Sequence, residues 1–84
     1  MTRAAQDLAA YEAAIVANAS HFVAFVQVAP GDRRRAEIAT AAAAIKFALE
    51  QAAATSRKIM VYAVAADGRD TLYGFAQPDG RWVA

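Results

Sequence analysis

Between Asp32 and Thr55 the chain reads DRRRAEIATAAAAIKFALEQAAAT. Alanine, isoleucine, leucine, lysine, glutamate and glutamine dominate, and all of them are tolerable or strong helix formers. The segment is therefore predicted to be one long helix, with Asp32 as its N-cap. Ile38, Ala41, Ala42, Ile45, Ala48, Leu49 and Ala52 form one stripe, while Glu37, Lys46, Glu50 and Gln51 lie mainly outside it. Alanine on the inner face lets such a helix sit close to a sheet. Thr55-Ser56 marks its exit.

The flanking segments read as strands. His21 to Val28 (HFVAFVQV) is rich in aromatic and β-branched residues. Phe22, Ala24, Val26 and Val28 share one face; His21, Val23, Phe25 and Gln27 share the other. Both faces are largely apolar, which predicts a strand covered on both sides. Ala29-Pro30-Gly31 ends it. Lys58 to Ala65 is a second strand. Asp67-Gly68 is a hairpin signal, Thr71 to Ala76 a third strand, Pro78-Asp79-Gly80 a further turn, and Arg81 to Val83 a short last strand. Within the third strand, alternation puts Tyr73 and Phe75 on one face and Leu72, Gly74 and Ala76 on the other. Residues 3–19 read as an amino-terminal, peripheral helix from the recurrence of Leu8, Tyr11, Ile15 and Ala19, with Thr2 as its cap.

The predicted order is α-β-α-β-β-β: a single small α+β domain over residues 1–84, with a small mixed or antiparallel sheet and two helices. If the long helix joins strands 21–28 and 58–65 directly, it is a right-handed crossover and those strands lie parallel. An alternative leaves the first helix free to swap into a homodimer.

Eighty-four residues leave no room for two cores. Twenty-five of the residues are alanine, so large apolar side chains are few and stability is expected to be modest unless a partner or second copy covers more surface. The net charge of +1 excludes an acidic DNA mimic and a histone-like polycation. With no cysteine there is no disulfide framework, thiolate metal site or cysteine nucleophile. The start of the chain lacks an apolar signal core, and the alanine run at 40–54 is too short and too charged to span a bilayer. A cytoplasmic, membrane-free location is expected.

Catalysis finds little support. Ser20 and Ser56 sit in no nucleophile elbow, His21 has no sequence partner, and no Walker or dinucleotide glycine pattern occurs. Asp67, Asp70 and Asp79 lack calcium-loop spacing. No catalytic residue, metal or cofactor is expected.

The arginine run is the most telling feature. In the first turn of a helix, Arg33, Arg34 and Arg35 would oppose the dipole and fan over about 200°. They read either as a solvated helix start, offset by Asp32 and an Arg33–Glu37 pair, or as a contact for an acidic partner or phosphates. Arg57, Lys58, Arg69 and Arg81 form a second basic group, interleaved with Tyr62, Tyr73, Phe75 and Trp82. On an open sheet face this set would stack bases, as single-strand binders do; packed inward, it is core. Trp82 reads as a lid on the core or an interface anchor.

An alanine-rich helix running into Arg57-Lys58-Ile59-Met60-Val61-Tyr62-Ala63-Val64, then a hairpin and the ending Asp79-Gly80-Arg81-Trp82-Val83, resembles small proteins of phages and mobile elements, among them type I anti-CRISPR inhibitors. The likeness spans about residues 21–83. It implies a non-catalytic inhibitor, in the host cytoplasm if phage-encoded, that occludes a surface of a crRNA-guided effector complex. The residues themselves point to a small interaction protein with a protein or ribonucleoprotein partner. Its expected contacts are Arg33, Arg34, Arg35, Arg57, Lys58, Arg69, Arg81 and Trp82. A nucleic-acid-binding accessory protein and an oligomerising module are the alternatives.

Overall fold

The computed structural model describes residues 3–84. Its elements are α1 (Arg3–Ala17), β1 (Ala19–Ala29), β2 (Asp32–Ile38), α2 (Ala41–Thr55), β3 (Ile59–Ala65), β4 (Asp70–Ala76) and β5 (Trp82–Val83). The expected α+β domain is present, with one strand more than the sequence reading had. The proposed Thr2 cap lies outside the described residues.

The extra strand is the arginine run. Pro30-Gly31 reverses the chain instead of merely ending a strand. Proline followed by a glycine at positive φ is type II turn chemistry, and Gly31 has φ 77°. Residues 32–38 then pair antiparallel with β1, Gln27 opposite Arg33 and Phe22 opposite Ile38. Helix propensity favoured α-structure here, but the hairpin supplies a full ladder of backbone hydrogen bonds and lets Ala36 and Ile38 share the inner face with Phe22 and Ala24. The helix begins only at Ala41. Its cap is Thr40, whose hydroxyl accepts from Ala43 N at 3.2 Å; Asp32 does not cap it.

The five strands form one sheet in the order β2-β1-β3-β4-β5, every neighbouring pair antiparallel. Strands 21–28 and 58–65 are thus antiparallel neighbours; they are not a parallel pair. The parallel pair is β2 and β3, which flank β1, and α2 carries the chain from one to the other. A crossover exists, but it starts one strand later than expected.

Strand alternation sends Phe22, Ala24, Val26, Ile59, Val61, Ala63 and Ala76 to the face under α2, where Ala44, Ala48 and Ala52 complete the core. Those three alanines are 0% exposed. They sit one turn apart, a narrower inner line than the stripe predicted. Ile45 and Leu49 are half-buried at its flanks. Helix α1 rests on β3 and β4, burying Ile15 and bringing Val16 to the same core. Leu8 and Tyr11, on the same stripe as Ile15, are nevertheless 57% and 48% exposed. Asn18 closes the helix, its side-chain amide donating to Ala14 O at 2.8 Å.

A register shift separates the Val61–Gly74 and Tyr62–Leu72 pairs, leaving Tyr73 as the extra residue. Tyr73 therefore turns toward the core, 5.1 Å from the Phe22 ring centroid, while Phe75 stays opposite Met60 on the other face. The expectation that Tyr73 and Phe75 share a face is corrected by this bulge.

Candidate functional site

The second face of the sheet is open. It carries Val23, Phe25 and Gln27 of β1, Arg33, Arg35 and Glu37 of β2, Met60, Tyr62 and Val64 of β3, and Phe75 of β4. Two grooves of about 420 and 400 Å³ run along it, and no residue of either helix lines them. Phe25 and Tyr62 belong to both grooves; their rings meet edge to face, centroids 5.9 Å apart.

The first groove is cationic. Its floor is Phe25, Met60 and Tyr62, its rim Arg33, Arg57 and Lys58, and it includes no carboxylate. Arg33 comes to the rim because residues 33 and 35 of an edge strand share the open face with Phe25. Its guanidinium lies 5.0 Å from the Phe25 centroid, and Lys58 Nζ lies 4.7 Å from that of Phe75. These are cation–π distances. Among the described residues neither Arg33, Arg57 nor Lys58 has an ion-pair partner.

The second groove is mixed. His21, Val23, Arg35, Glu37, Val64, Gly68 and Asp70 line it with the shared rings. Arg35 pairs with Glu37, and this hydrogen bond and charge, with a smaller effect of His21, hold the Glu37 carboxyl below its ordinary value. The His21 ring places Nδ1 2.9 Å from Ser20 Oγ, while Nε2 is buried without a hydrogen-bond partner among the described residues.

The expected contact residues divide. Arg33, Arg35, Arg57 and Lys58 converge on the open face. Arg34 points to the opposite face, 3.6 Å from Asp32. Arg69 and Arg81 belong to two turns built the same way. In Asp67-Gly68-Arg69 and Asp79-Gly80-Arg81 the aspartate accepts from the arginine N–H at 3.1 Å and from its Nε at 2.7 and 3.0 Å. Arg69 also lies over the Tyr11 ring, 5.4 Å from its centroid; Tyr11 foremost, then Asp67, raises its pKa. Trp82 lies with Tyr73 on the helix side, centroids 5.9 Å apart. Arg69 and Arg81 are thus each held by the aspartate of their own turn and line neither groove, and the Asp-Gly-Arg-Trp ending is a turn followed by a tryptophan packed against the core.

Phe25, Gln27 and Met60 were not among the expected contacts. The signal was the apolar composition of both faces of residues 21–28, which called for a second cover that neither helix places over the grooves. Among the described residues there is no cluster of three or more metal-ligating side chains, and no helix long and apolar enough to cross a membrane. Comparison with protein-family models, curated proteins and solved structures gave no match to this chain.

Proposed function

We propose that this chain is a small non-enzymatic interaction protein whose working surface is the open sheet face, and that it engages an anionic surface of a macromolecular partner there. One observation carries the reading: Arg33, Arg57 and Lys58 ring a half-buried apolar floor of Phe25, Met60 and Tyr62 with no carboxylate among them. Cations with no ion-pair partner among the described residues, two of them held over half-buried rings, suit an external anion. The likeness to type I anti-CRISPR inhibitors supports one form of this function, occlusion of a surface of a crRNA-guided effector complex.

The test compares two double variants of equal charge change. Arg57→Glu/Lys58→Glu reverses the groove, whereas Arg69→Glu/Arg81→Glu reverses cations outside it. Retention on an immobilised sulfated polyanion should be lost for the first and kept for the second, with wild-type retention falling as salt rises. Equal loss in both would make net charge responsible and overturn the reading.

A further inference from the structure

We infer that the anionic partner is a single-stranded nucleic acid, with phosphates on the rim of the cationic groove and bases against the Phe25–Tyr62 pair. This rests on the reading that the open face is the working surface, and it names the partner.

The groove crosses β2, β1 and β3, two strand spacings, so its cationic walls stand about 10 Å apart. A single unpaired strand fits between such walls with its bases turned inward. A duplex keeps its bases stacked inside and would meet only the rim. The floor favours bases over other anionic chains. Phe25 and Tyr62 are half-buried rings, fixed edge to face, and every base has a π-face to lay on them. A carboxylate-rich peptide would satisfy the cations but leave those rings and Met60 without a matching surface.

The second groove adds an independent observation. It continues from the same two rings, and there the polar groups change character. His21 Nε2 is a buried polar atom with no partner among the described residues, and such atoms are rare in folded proteins. Glu37 and Asp70 lie in the same groove as hydrogen-bond acceptors. A base seated on the ring pair would turn its polar edge toward the exposed Glu37 and Asp70, and a carboxylate accepts from an exocyclic amine such as that of cytosine. The face is therefore divided into a phosphate side and a base-edge side, with the aromatic pair between.

The experiment uses the full chain and labelled strands of about twelve nucleotides, a length within the span that single-strand folds cover. Anisotropy titrations compare oligo-dC, an abasic strand of equal length, and a duplex. Oligo-dC should bind about fivefold or more tighter than the abasic strand, since stacking of one base is worth at least about that factor. Tyr62→Leu should remove most of this difference and leave abasic binding unchanged. The logarithm of the affinity should fall with that of salt at a slope of about −2, as three phosphate contacts on a single strand require. Arg57→Glu/Lys58→Glu, both exposed, should abolish binding without unfolding the domain.

Equal binding of oligo-dC and the abasic strand would overturn the nucleic-acid assignment while leaving an anion-binding face. Binding of neither strand, with polyanion retention intact, would assign the face to an acidic protein instead. No binding to any polyanion would overturn the underlying reading as well. A concentration-dependent doubling of mass that Phe25→Glu abolishes would assign the face to a second copy of the chain.

Discussion

Trp82 covers Gly74 so closely that no side chain fits between them. A Cβ built on Gly74 would overlap Cζ2 of the indole and stand 2.6 Å from the carbonyl oxygen of Val83. Glycine is needed here for space. The same contact seats the two-residue strand β5, whose pairing with β4 is limited to Phe75–Val83 and Ala76–Trp82.

Gly74→Ala should therefore destabilise the domain by about 1–3 kcal/mol, the usual range for an overpacked site. Trp82 fluorescence should shift as the indole moves, and denaturant unfolding would measure the cost. The loss should be strongly non-additive with Trp82→Ala, because residues in contact couple. Additive losses would mean that the two side chains do not meet.

Ser56 ends α2 in the left-handed region, at φ 55° and ψ 32°. A non-glycine residue pays about 1–2 kcal/mol for that conformation. Ser56→Gly should stabilise the fold by about 0.5–1 kcal/mol, the greater freedom of glycine in the unfolded chain taking back the rest. A raised melting temperature checks it, and a fall would contradict the assigned cap.

Much of this architecture can be read from residue pattern alone. The alternation in 59–65, the two Asp-Gly turns and the alanine-rich core of α2 locate those elements because each signal is local. Residues 32–38 are not legible in that way. Arginine, alanine and glutamate are helix formers, and only pairing with β1 outweighs their preference. A period-two pattern is there, with Arg33, Arg35 and Glu37 outward against Ala36 and Ile38, but it lies between a turn and a strong helix that extends over it. The site follows the same division. Arg57, Lys58 and the Arg33–Arg35 run stand out by composition. That Arg34 leaves the face, and that Phe25 and Met60 join it, depends on strand register. Tyr73 is displaced by a bulge that no residue type announces.

Ala48 is 0% exposed between α2 and the sheet, and the helix approaches closely because its inner line is alanine. Ala48→Leu should cost about 1–3 kcal/mol or more, since the added volume has nowhere to go but between helix and strands. Leu49→Ala, at the half-buried flank, should cost about 2 kcal/mol, the low end for a leucine truncation. A tolerated Ala48→Leu together with a Leu49→Ala loss of about 5 kcal/mol in thermal unfolding would turn the buried face from Ala48 toward Leu49.

Glu37 and Asp67 should titrate below their ordinary values of 4.5 and 3.8. Arg35 lowers the first, through its hydrogen bond and then its charge; the backbone N–H of Arg69 is the largest cause for the second. A folded-state pKa below the unfolded one gives stability that is present above the unfolded value and is lost as pH falls through the folded one. The small contribution of both groups should therefore be intact at neutral pH and be lost only in acid, as pH falls below these ordinary values and through the lowered ones. NMR titration of the carboxyl carbons measures both midpoints. Arg35→Gln should return Glu37 toward its ordinary value and leave Asp67 alone; a Glu37 midpoint unmoved by that change would dissolve the pair.

The three consecutive arginines supply the sharpest separation of fold from function. On a helix start, all three would oppose the dipole, and neutralising them would stabilise. On edge strand β2 that reason disappears, and alternation sorts them: Arg33 to the cationic groove, Arg35 to its pair with Glu37, Arg34 to the far face beside Asp32. Each is exposed, and exposed ion pairs are worth about 0–1 kcal/mol, so each single change to glutamine should leave stability within about 0.5 kcal/mol. Partner binding should divide by parity. Arg33→Gln should weaken it severalfold, whereas Arg34→Gln, one residue away and identical in charge, should leave it unchanged. Replacing all three by valine should instead bring concentration-dependent association, because charged side chains along a sheet edge hinder pairing with other chains. Light scattering reads that outcome, and calorimetric titration with the partner reads the other two. Equal losses from Arg33→Gln and Arg34→Gln would return the run to a diffuse charge effect and remove Arg33 from the groove.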